Sequence, residues 1–221
     1  MLRDIVGSVQ KLYSCGLYSN VVEICNLTNC AKEISADKIP QAQICQLQIL
    51  LADSYLELRE WKLAESLYRM ILQQRKLAMK TRQITEMVDG VSAEVASEAD
   101  IKYRLHQCCV ALGQSNQAIN VLQSIPSSSR SVKVNMSLGR LYHLAGMDKP
   151  AVAAYREVVR ECPLAVEALR ALLQLGVKPR ELQELSLHLE LDWLSGWVGA
   201  QAKLYSRDYT GAVQVRRRVQ N

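Results

Sequence analysis

The sequence predicts an all-α protein made of antiparallel helix pairs that repeat along the chain and stack into a solenoid. Two small residues lie twelve positions apart in two separate segments: Gly139 and Ala151, and Ala52 and Ala64. Small residues at this spacing let the two helices of a hairpin cross closely. The 221 residues include only 5 prolines and 10 glycines, which suits helices. Since one hairpin cannot bury its own apolar face, the pattern requires stacked neighbours.

The repeat is clearest in the segment that runs from Ser137 to Pro163. Tyr142 and Tyr155 stand where large side chains would fill the space around the helix crossing. Gly146 is expected to end the first helix and Pro163 to stop the second, because proline cannot continue a helical hydrogen-bond ladder. This spacing is typical of the tetratricopeptide repeat (TPR), a helix-turn-helix unit of about 34 residues.

The same pattern predicts one helical-repeat domain, 1–221. Its units are 2–35, 45–78, 99–132, 132–165, a degenerate pair at 164–191 and a partial repeat at 193–221. The unit at 99–132 is a weaker copy, because His106 stands at a small-residue position and Cys109 at a tyrosine position. The second and third units are separated by about 20 residues more than the repeat period requires. We therefore predict an insertion at 79–98, either a mobile loop or a partly helical excursion.

Composition and charge argue against several classes of function. Hydrophobic residues make up 49% of the chain and charged residues 22%, and no apolar run is long enough to predict a membrane span. The N-terminus shows no signal peptide. Seven scattered cysteines predict reduced thiols. The net charge is +5, and we interpret the basic cluster Arg216–Arg218 as a solvated helix end rather than a nucleic-acid site, because no basic stripe with interleaved aromatics accompanies it.

No motif in the sequence points to catalysis, a cofactor, a metal ion or a small-molecule substrate. Phosphate-binding glycine loops and the Gly-x-Ser-x-Gly elbow are absent from it. His106, Cys108 and Cys109 are adjacent, but residues at these spacings do not all share one helix face, so packing is the favoured interpretation. Cys25 and Cys30 have no histidine nearby, which argues against a zinc site. We predict a non-catalytic protein.

Two surfaces remain as candidate binding sites. The first helices of successive repeats should line a concave groove, whose predicted residues are Ile49, Asp53, Tyr103, Arg104, Lys133, Met136, Arg140 and His143. Leu50 and Ser137 stand where a chaperone-type carboxylate clamp would need lysine or asparagine, which argues against such a clamp. The first repeat has no repeat before it, and its predicted self-association residues are Val9, Leu12, Tyr13, Leu17, Val21 and Val22. The competing self-association surface contains Trp193, Trp197 and Val213.

Several strings go beyond what a generic repeat requires. They occupy 16–21, 52–76, 101–126, 161–173 and 191–197. In content and order they resemble the N-terminal part of subunit seven of the anaphase-promoting complex (cyclosome), and the resemblance covers essentially the whole chain. The strings LDWLSGW and ECPLA are the most specific, because the repeat fold alone does not demand them.

The resemblance implies a scaffold subunit of a multisubunit ubiquitin ligase that supports assembly and mitotic cell-cycle control in the nucleus and cytoplasm. It also implies homodimers and partners among the other TPR subunits of that complex. The residues alone predict only a protein-binding helical solenoid, with no nucleic-acid or membrane partner. The alternative is an unrelated TPR adaptor or co-chaperone that binds a peptide in its concave groove.

Overall fold

The computed structural model describes residues 5–32, 41–82, 96–185 and 192–220, which form twelve α-helices and no β-strand. The first six are α1 (Ile5–Ser14), α2 (Tyr18–Lys32), α3 (Gln41–Glu57), α4 (Trp61–Arg82), α5 (Glu98–Ala111) and α6 (Ser115–Gln123). The others are α7 (Val132–Leu144), α8 (Asp148–Glu161), α9 (Val166–Gln174), α10 (Pro179–Leu185), α11 (Asp192–Tyr205) and α12 (Tyr209–Gln220). The predicted all-α class of paired helices is confirmed.

The predicted single domain comprises two compact units, Met1–Ile125 and Pro126–Asn221. The boundary falls at a proline, which is followed by a short 3-10 turn at Ser127–Ser129. In the first unit α3 packs against α1, α2, α4 and α5, so successive hairpins stack through their first helices. In the second unit α9 packs against both α8 and α11. Within each unit, successive hairpins therefore pack against one another, as a repeat fold requires.

One type of turn closes all six hairpins. Its left-handed residues, which have positive φ, are Gly16, Arg59, Gly113, Gly146, Gly176 and Arg207. The next residue donates its backbone N–H to the carbonyl five positions earlier, as Met147 does to Tyr142 over 2.8 Å. This is the Schellman arrangement, which satisfies carbonyls left free at a helix end. Because the turn repeats unchanged, these six residues provide a common reference for comparing positions in different hairpins.

The crossing between α7 and α8 depends on the small residue at its centre. A Cβ added to Gly139 would lie 2.6 Å from Cε1 of Tyr155, closer than real contacts allow. Ala151 and Tyr155 are buried beside it. Ala52, Ala64 and Tyr68 are likewise buried at the corresponding positions of the first unit. The paired small residues therefore mark close helix contacts, as the spacing predicts.

The first residues of the predicted insertion are helical. Helix α4 continues to Arg82, four residues into the segment predicted at 79–98. At the other end, α5 begins at Glu98. Residues 83–95 lie outside the described residues, and the mobility of this segment stays a prediction. The parts of the predicted repeats at 2–4, 33–35 and 186–191 also lie outside them.

Candidate protein-binding grooves

The first unit contains a groove of about 320 Å³, which we call the first groove. Its lining residues come from α1, α3 and the α5 region: Val6, Gln10, Tyr13, Ser14, Gln46, Ile49, Leu50, Asp53, Ala96 and Arg104. Apolar and polar side chains alternate along it, and three of them, Ile49, Asp53 and Arg104, belong to the groove predicted from the sequence. The first helices of these hairpins therefore present a mixed surface with one buried charge at its base.

That buried charge is the carboxylate of Asp53, which is only 5% exposed. Arg104 Nη1 donates to its two oxygens over 2.7 and 2.9 Å, and the hydroxyl of Tyr68 donates over 2.5 Å. The residues come from three helices, α3, α4 and α5, so this network connects two successive hairpins. A buried carboxylate needs such partners because removal from water is costly.

The surroundings of this network shift two pKa values. Burial raises the pKa of Asp53, while Arg104 and Tyr68 act in the opposite direction. Burial also raises the pKa of Tyr13 to about 12, and the carboxylates of Asp53 and Glu57 add to that rise. Tyr13 therefore remains a neutral phenol at physiological pH, able both to donate and to accept a hydrogen bond at the edge of the first groove.

The second unit contains a larger groove of about 550 Å³, which we call the second groove. Helices α7, α8 and α9 line it with Arg140, His143, Leu144, Tyr155, Glu167, Arg170, Ala171 and Gln174. Arg140 donates to Glu167 through Nε over 2.6 Å and through Nη2 over 2.5 Å. The two side chains of this fork are 53% and 58% exposed. The hydrogen bonds from Arg140 lower the pKa of Glu167, so the carboxylate is ionised near neutral pH.

The ion pairs of the two grooves occupy the same repeat positions with opposite polarity. Asp53 and Arg140 each lie six positions before the left-handed residue of their own turn. Their partners, Arg104 and Glu167, each lie nine positions before the left-handed residue of the following hairpin. Each pair therefore joins the first helix of one hairpin to the first helix of the next. We call these pairs the inter-hairpin bridges.

The structure separates the predicted groove residues between the two units. Arg140 and His143 line the second groove, whereas Lys133 and Met136 lie on α7 but line neither groove. Tyr103 lies on α5, with its ring centroid 4.5 Å from that of His106. Their role in binding stays a prediction.

Helices α8 and α9 contribute a side of the second groove that no sequence pattern singled out as a binding surface: Tyr155, Glu167, Arg170 and Gln174. Counting from the turn glycines could have found Glu167, because Gly176 and Gly113 fix its equivalence to Arg104.

Two of the residues predicted for self-association, Val9 and Val21, are buried in the core. Val9 and Val21 are 0% exposed and form a core cluster with Cys25, Leu47 and Leu51. Helix α3 covers them, so the expectation that the first hairpin leaves them uncovered is wrong. Leu12, Tyr13 and Val22 are partly buried against the same cluster, and only Leu17, at 47%, is strongly exposed. In the competing surface, Trp193 and Val213 are exposed.

Most of the described cysteines are either buried in the core or free on the surface, and His106 is buried. Burial raises the pKa of Cys108 to about 12 and also raises that of Cys109, which makes both thiols unreactive. Burial lowers the pKa of His106, whose Nδ1 faces the carbonyl oxygen of Tyr103. Cys15 and Cys162 are free and exposed. In the described part of the chain no cluster of His, Cys, Asp and Glu could hold a metal ion.

The same ranges contain no helix with the length and apolar character needed to cross a membrane. The basic cluster Arg216–Arg218 lies within α12, and its side chains are outside what the structure describes.

Similar proteins of known identity belong to the family that the sequence strings resemble. No protein-family model matches the sequence. The chain is 33% identical over 220 residues to anaphase-promoting complex subunit 7 from Homo sapiens, which covers 95% of this chain and 39% of that protein. It is 25% identical over 233 residues to the Arabidopsis thaliana subunit 7, covering 94% and 41%. The chain thus spans about two fifths of the length of these relatives.

A crystal structure of nearly identical TPR-like repeats from a Podosopora anserina kinesin light chain is similar in fold. Its TM-score is 0.50 at 17% sequence identity, and the match covers 83% of this chain and 96% of that one. At 17% identity this similarity establishes the repeat fold alone. Homology rests instead on the curated relatives, which match nearly the whole chain in sequence. Over nearly its whole length, this helical-repeat chain is homologous to part of subunit 7 of the anaphase-promoting complex.

Proposed function

We propose that the chain is a non-catalytic scaffold that contributes protein-binding surfaces to the anaphase-promoting complex. The observation that carries this proposal is its 33% identity, over 95% of its length, to proteins named as subunit 7 of that complex. In this role it supports assembly of the ubiquitin ligase and mitotic cell-cycle control, in the nucleus and cytoplasm. Its partners are the other TPR subunits of the complex.

The architecture suits a scaffold because its surface is organised before a partner arrives. Each hairpin has the same turn, and inter-hairpin bridges join successive first helices in both units. A preorganised surface loses little conformational freedom on binding, so more of the contact free energy remains as affinity. Stacked hairpins therefore provide rigid positions for partner proteins without a catalytic centre.

The test is affinity purification of the tagged chain from dividing cells, followed by mass spectrometry. We expect other subunits of the anaphase-promoting complex among the enriched proteins. Ala151→Arg, which disrupts the fold of the second unit, is the control for partners that require folded repeats. Recovery of chaperones alone from the wild-type chain would favour the co-chaperone alternative and contradict the proposal.

We also propose that the chain forms a homodimer through its first hairpin. Leu17 is exposed, and Leu12, Tyr13 and Val22 are partly exposed beside it. Natural dimers are generally two-fold symmetric and bury the same patch on both copies.

Light scattering on matched surface variants tests this dimer. Leu17→Glu should give a monomer because it places a charge in the proposed interface. Leu27→Glu changes an equally apolar and even more exposed residue further along α2. Trp197→Glu changes the competing surface. Both of these should remain dimeric. A monomeric wild-type chain at high micromolar concentration would contradict self-association, and a dimeric Leu17→Glu variant would exclude this interface.

A further inference from the structure

The second groove carries an excess of positive charge that follows from the bridge positions. Arg170 lies six positions before Gly176 and is therefore equivalent to Asp53 and Arg140. The position that should supply its partner, nine before Arg207, is Val198, an apolar and buried residue. No inter-hairpin bridge can form there. Two arginines thus line the second groove around a single carboxylate, that of Glu167.

Arg170 lies beside an aromatic ring rather than in an ion pair. Its Cζ atom lies over the ring of Trp197 on α11, 5.9 Å from the ring centroid, within the range of a cation–π contact. The N–H donors of its planar guanidinium match the two oxygens of a carboxylate. Within the described residues, no salt bridge neutralises the charge of Arg170.

The second groove also contains an exposed apolar side chain. Leu144 is 86% exposed, whereas the other apolar lining residues, Ala171 and Tyr155, are nearly buried. A leucine so exposed gains free energy when an apolar side chain covers it. The groove volume of about 550 Å³ is enough for several side chains of an extended segment. Charge and apolar surface thus occur together at one concave site.

We propose that the second groove binds an acidic segment of a partner protein, in which a carboxylate pairs with Arg170 and a neighbouring apolar side chain packs on Leu144. The first groove has no such excess, because Asp53 neutralises Arg104 at its base. This binding goes beyond the scaffold role and does not require membership in any one complex. The two proposals can therefore fail separately, since recovery of complex subunits does not decide occupancy of the groove.

The experiment is a titration of the full chain with fluorescein-labelled octapeptides, followed by fluorescence anisotropy at low salt. The probe is Gly-Ser-Asp-Leu-Asp-Leu-Ser-Gly, with comparison peptides that carry asparagine or phosphoserine in place of aspartate. We expect the aspartate peptide to bind about tenfold more tightly than the asparagine peptide, because charge-assisted hydrogen bonds are the stronger ones. Amide chemical shifts should change along α7 and α9.

Matched variants assign the effect to individual residues. Arg170→Gln should weaken binding of the aspartate peptide about tenfold, and Leu144→Gln should weaken it severalfold. Arg160→Gln is the control, because it removes the same charge from an exposed α8 residue that pairs with Glu157 and does not line the groove. Its affinity should equal that of the wild type. Circular dichroism checks that all three variants fold.

Four results would overturn the proposal. These are absence of binding by the aspartate peptide, equal binding by Arg170→Gln and wild type, binding of only the phosphoserine peptide, and groove chemical shifts that change with protein concentration alone. The third result would indicate a phosphorylated ligand, and the fourth a second copy of this chain in the groove.

Discussion

The two units join successive first helices through the same pair of repeat positions, yet the two bridges differ in polarity and in exposure. In the first unit Asp53 accepts three hydrogen bonds in a nearly closed environment. In the second unit Arg140 and Glu167 form an open fork in which more than half of each side chain meets solvent. The repeat geometry therefore fixes where a bridge can form, but it leaves open which residue carries which charge.

The exposure of each bridge determines how much it can contribute to the stability of the fold. The carboxylate of Asp53 is buried, so removal of its partner Arg104 leaves an uncompensated buried charge and destabilises the fold strongly. An exposed pair contributes about 0–1 kcal/mol, because water and salt replace either partner easily. The bridge of the first unit is thus a structural element. The bridge of the second unit leaves its charges accessible to a ligand.

The largest effect on stability should follow from disruption of the helix crossings, where both units bury an alanine at the same repeat position. Ala64→Arg and Ala151→Arg each force a charged chain into a fully buried position. Each should lower the free energy of unfolding by more than about 3 kcal/mol. Thermal unfolding followed by circular dichroism measures the loss. Wild-type melting temperatures for both variants would contradict the assigned crossings.

Loss of the cation that pairs with buried Asp53 should have the next largest effect on stability. Arg104→Met removes the partner of Asp53 and should lower the free energy of unfolding by about 3 kcal/mol at neutral pH. The matched variant Arg140→Met, in the exposed bridge, should cost less than about 1 kcal/mol. Urea unfolding of both variants measures the difference. Equal losses would show that burial does not separate the two bridges.

The same variant should show a distinct dependence on pH. Burial already raises the pKa of Asp53 and Arg104 opposes that rise, so loss of Arg104 raises this pKa further. The folded variant then binds a proton more readily than the unfolded chain does, so its stability increases as pH falls below neutral toward the ordinary carboxyl range. The deficit relative to wild type should shrink over that range. A constant deficit would indicate lost packing rather than an unpaired charge.

A moderate effect is expected at the hairpin turns, where the units contain both glycine and arginine. Arg59→Gly should raise stability by about 1 kcal/mol, because it relieves a left-handed conformation that a Cβ disfavours. Gly113→Ala should lower stability by a similar amount, since an added Cβ there meets no atom within 4 Å and only the backbone cost remains. Unfolding curves test both signs. A destabilised Arg59→Gly variant would point to an interaction of the Arg59 side chain.

The smallest effect should come from exchanging the charges of the exposed bridge. The double variant Arg140→Glu with Glu167→Arg reproduces the polarity of the first unit and should remain within about 0.5 kcal/mol of wild type. Arg140→Glu alone should be less stable than the double variant, because it places two carboxylates together. A double-mutant cycle measures this coupling. A double variant as unstable as the single one would show that polarity is fixed after all.

The features that the sequence predicts are those that depend on neighbouring positions. Gly139 and Tyr155 lie in one hairpin, and their spacing alone indicates the close crossing that the structure shows. Gly146 likewise marks a helix end. Arg59 was not recognised as a turn residue, because a left-handed conformation is unusual for residues with a Cβ.

Pairing between hairpins is harder to predict. Asp53 and Arg104 are 51 residues apart, and only a known register brings their positions together. The end of α4 at Arg82 is also hard to predict, because no glycine or proline stands there to mark it. The burial of Val9 depends on how α3 lies against the first hairpin, which local patterns do not encode.

The distribution of thiols offers a route to optical distance measurements. Cys15 and Cys162 are exposed, one in each unit, whereas Cys25, Cys108 and Cys109 are buried. Maleimide dyes react with accessible thiolates, so the three buried cysteines should stay unlabelled in the native chain. With Cys30 and Cys45 replaced by serine, donor and acceptor fluorophores would attach at one site per unit without any change in the core. Energy transfer between them would then report how the separation of the two units responds when a partner protein binds.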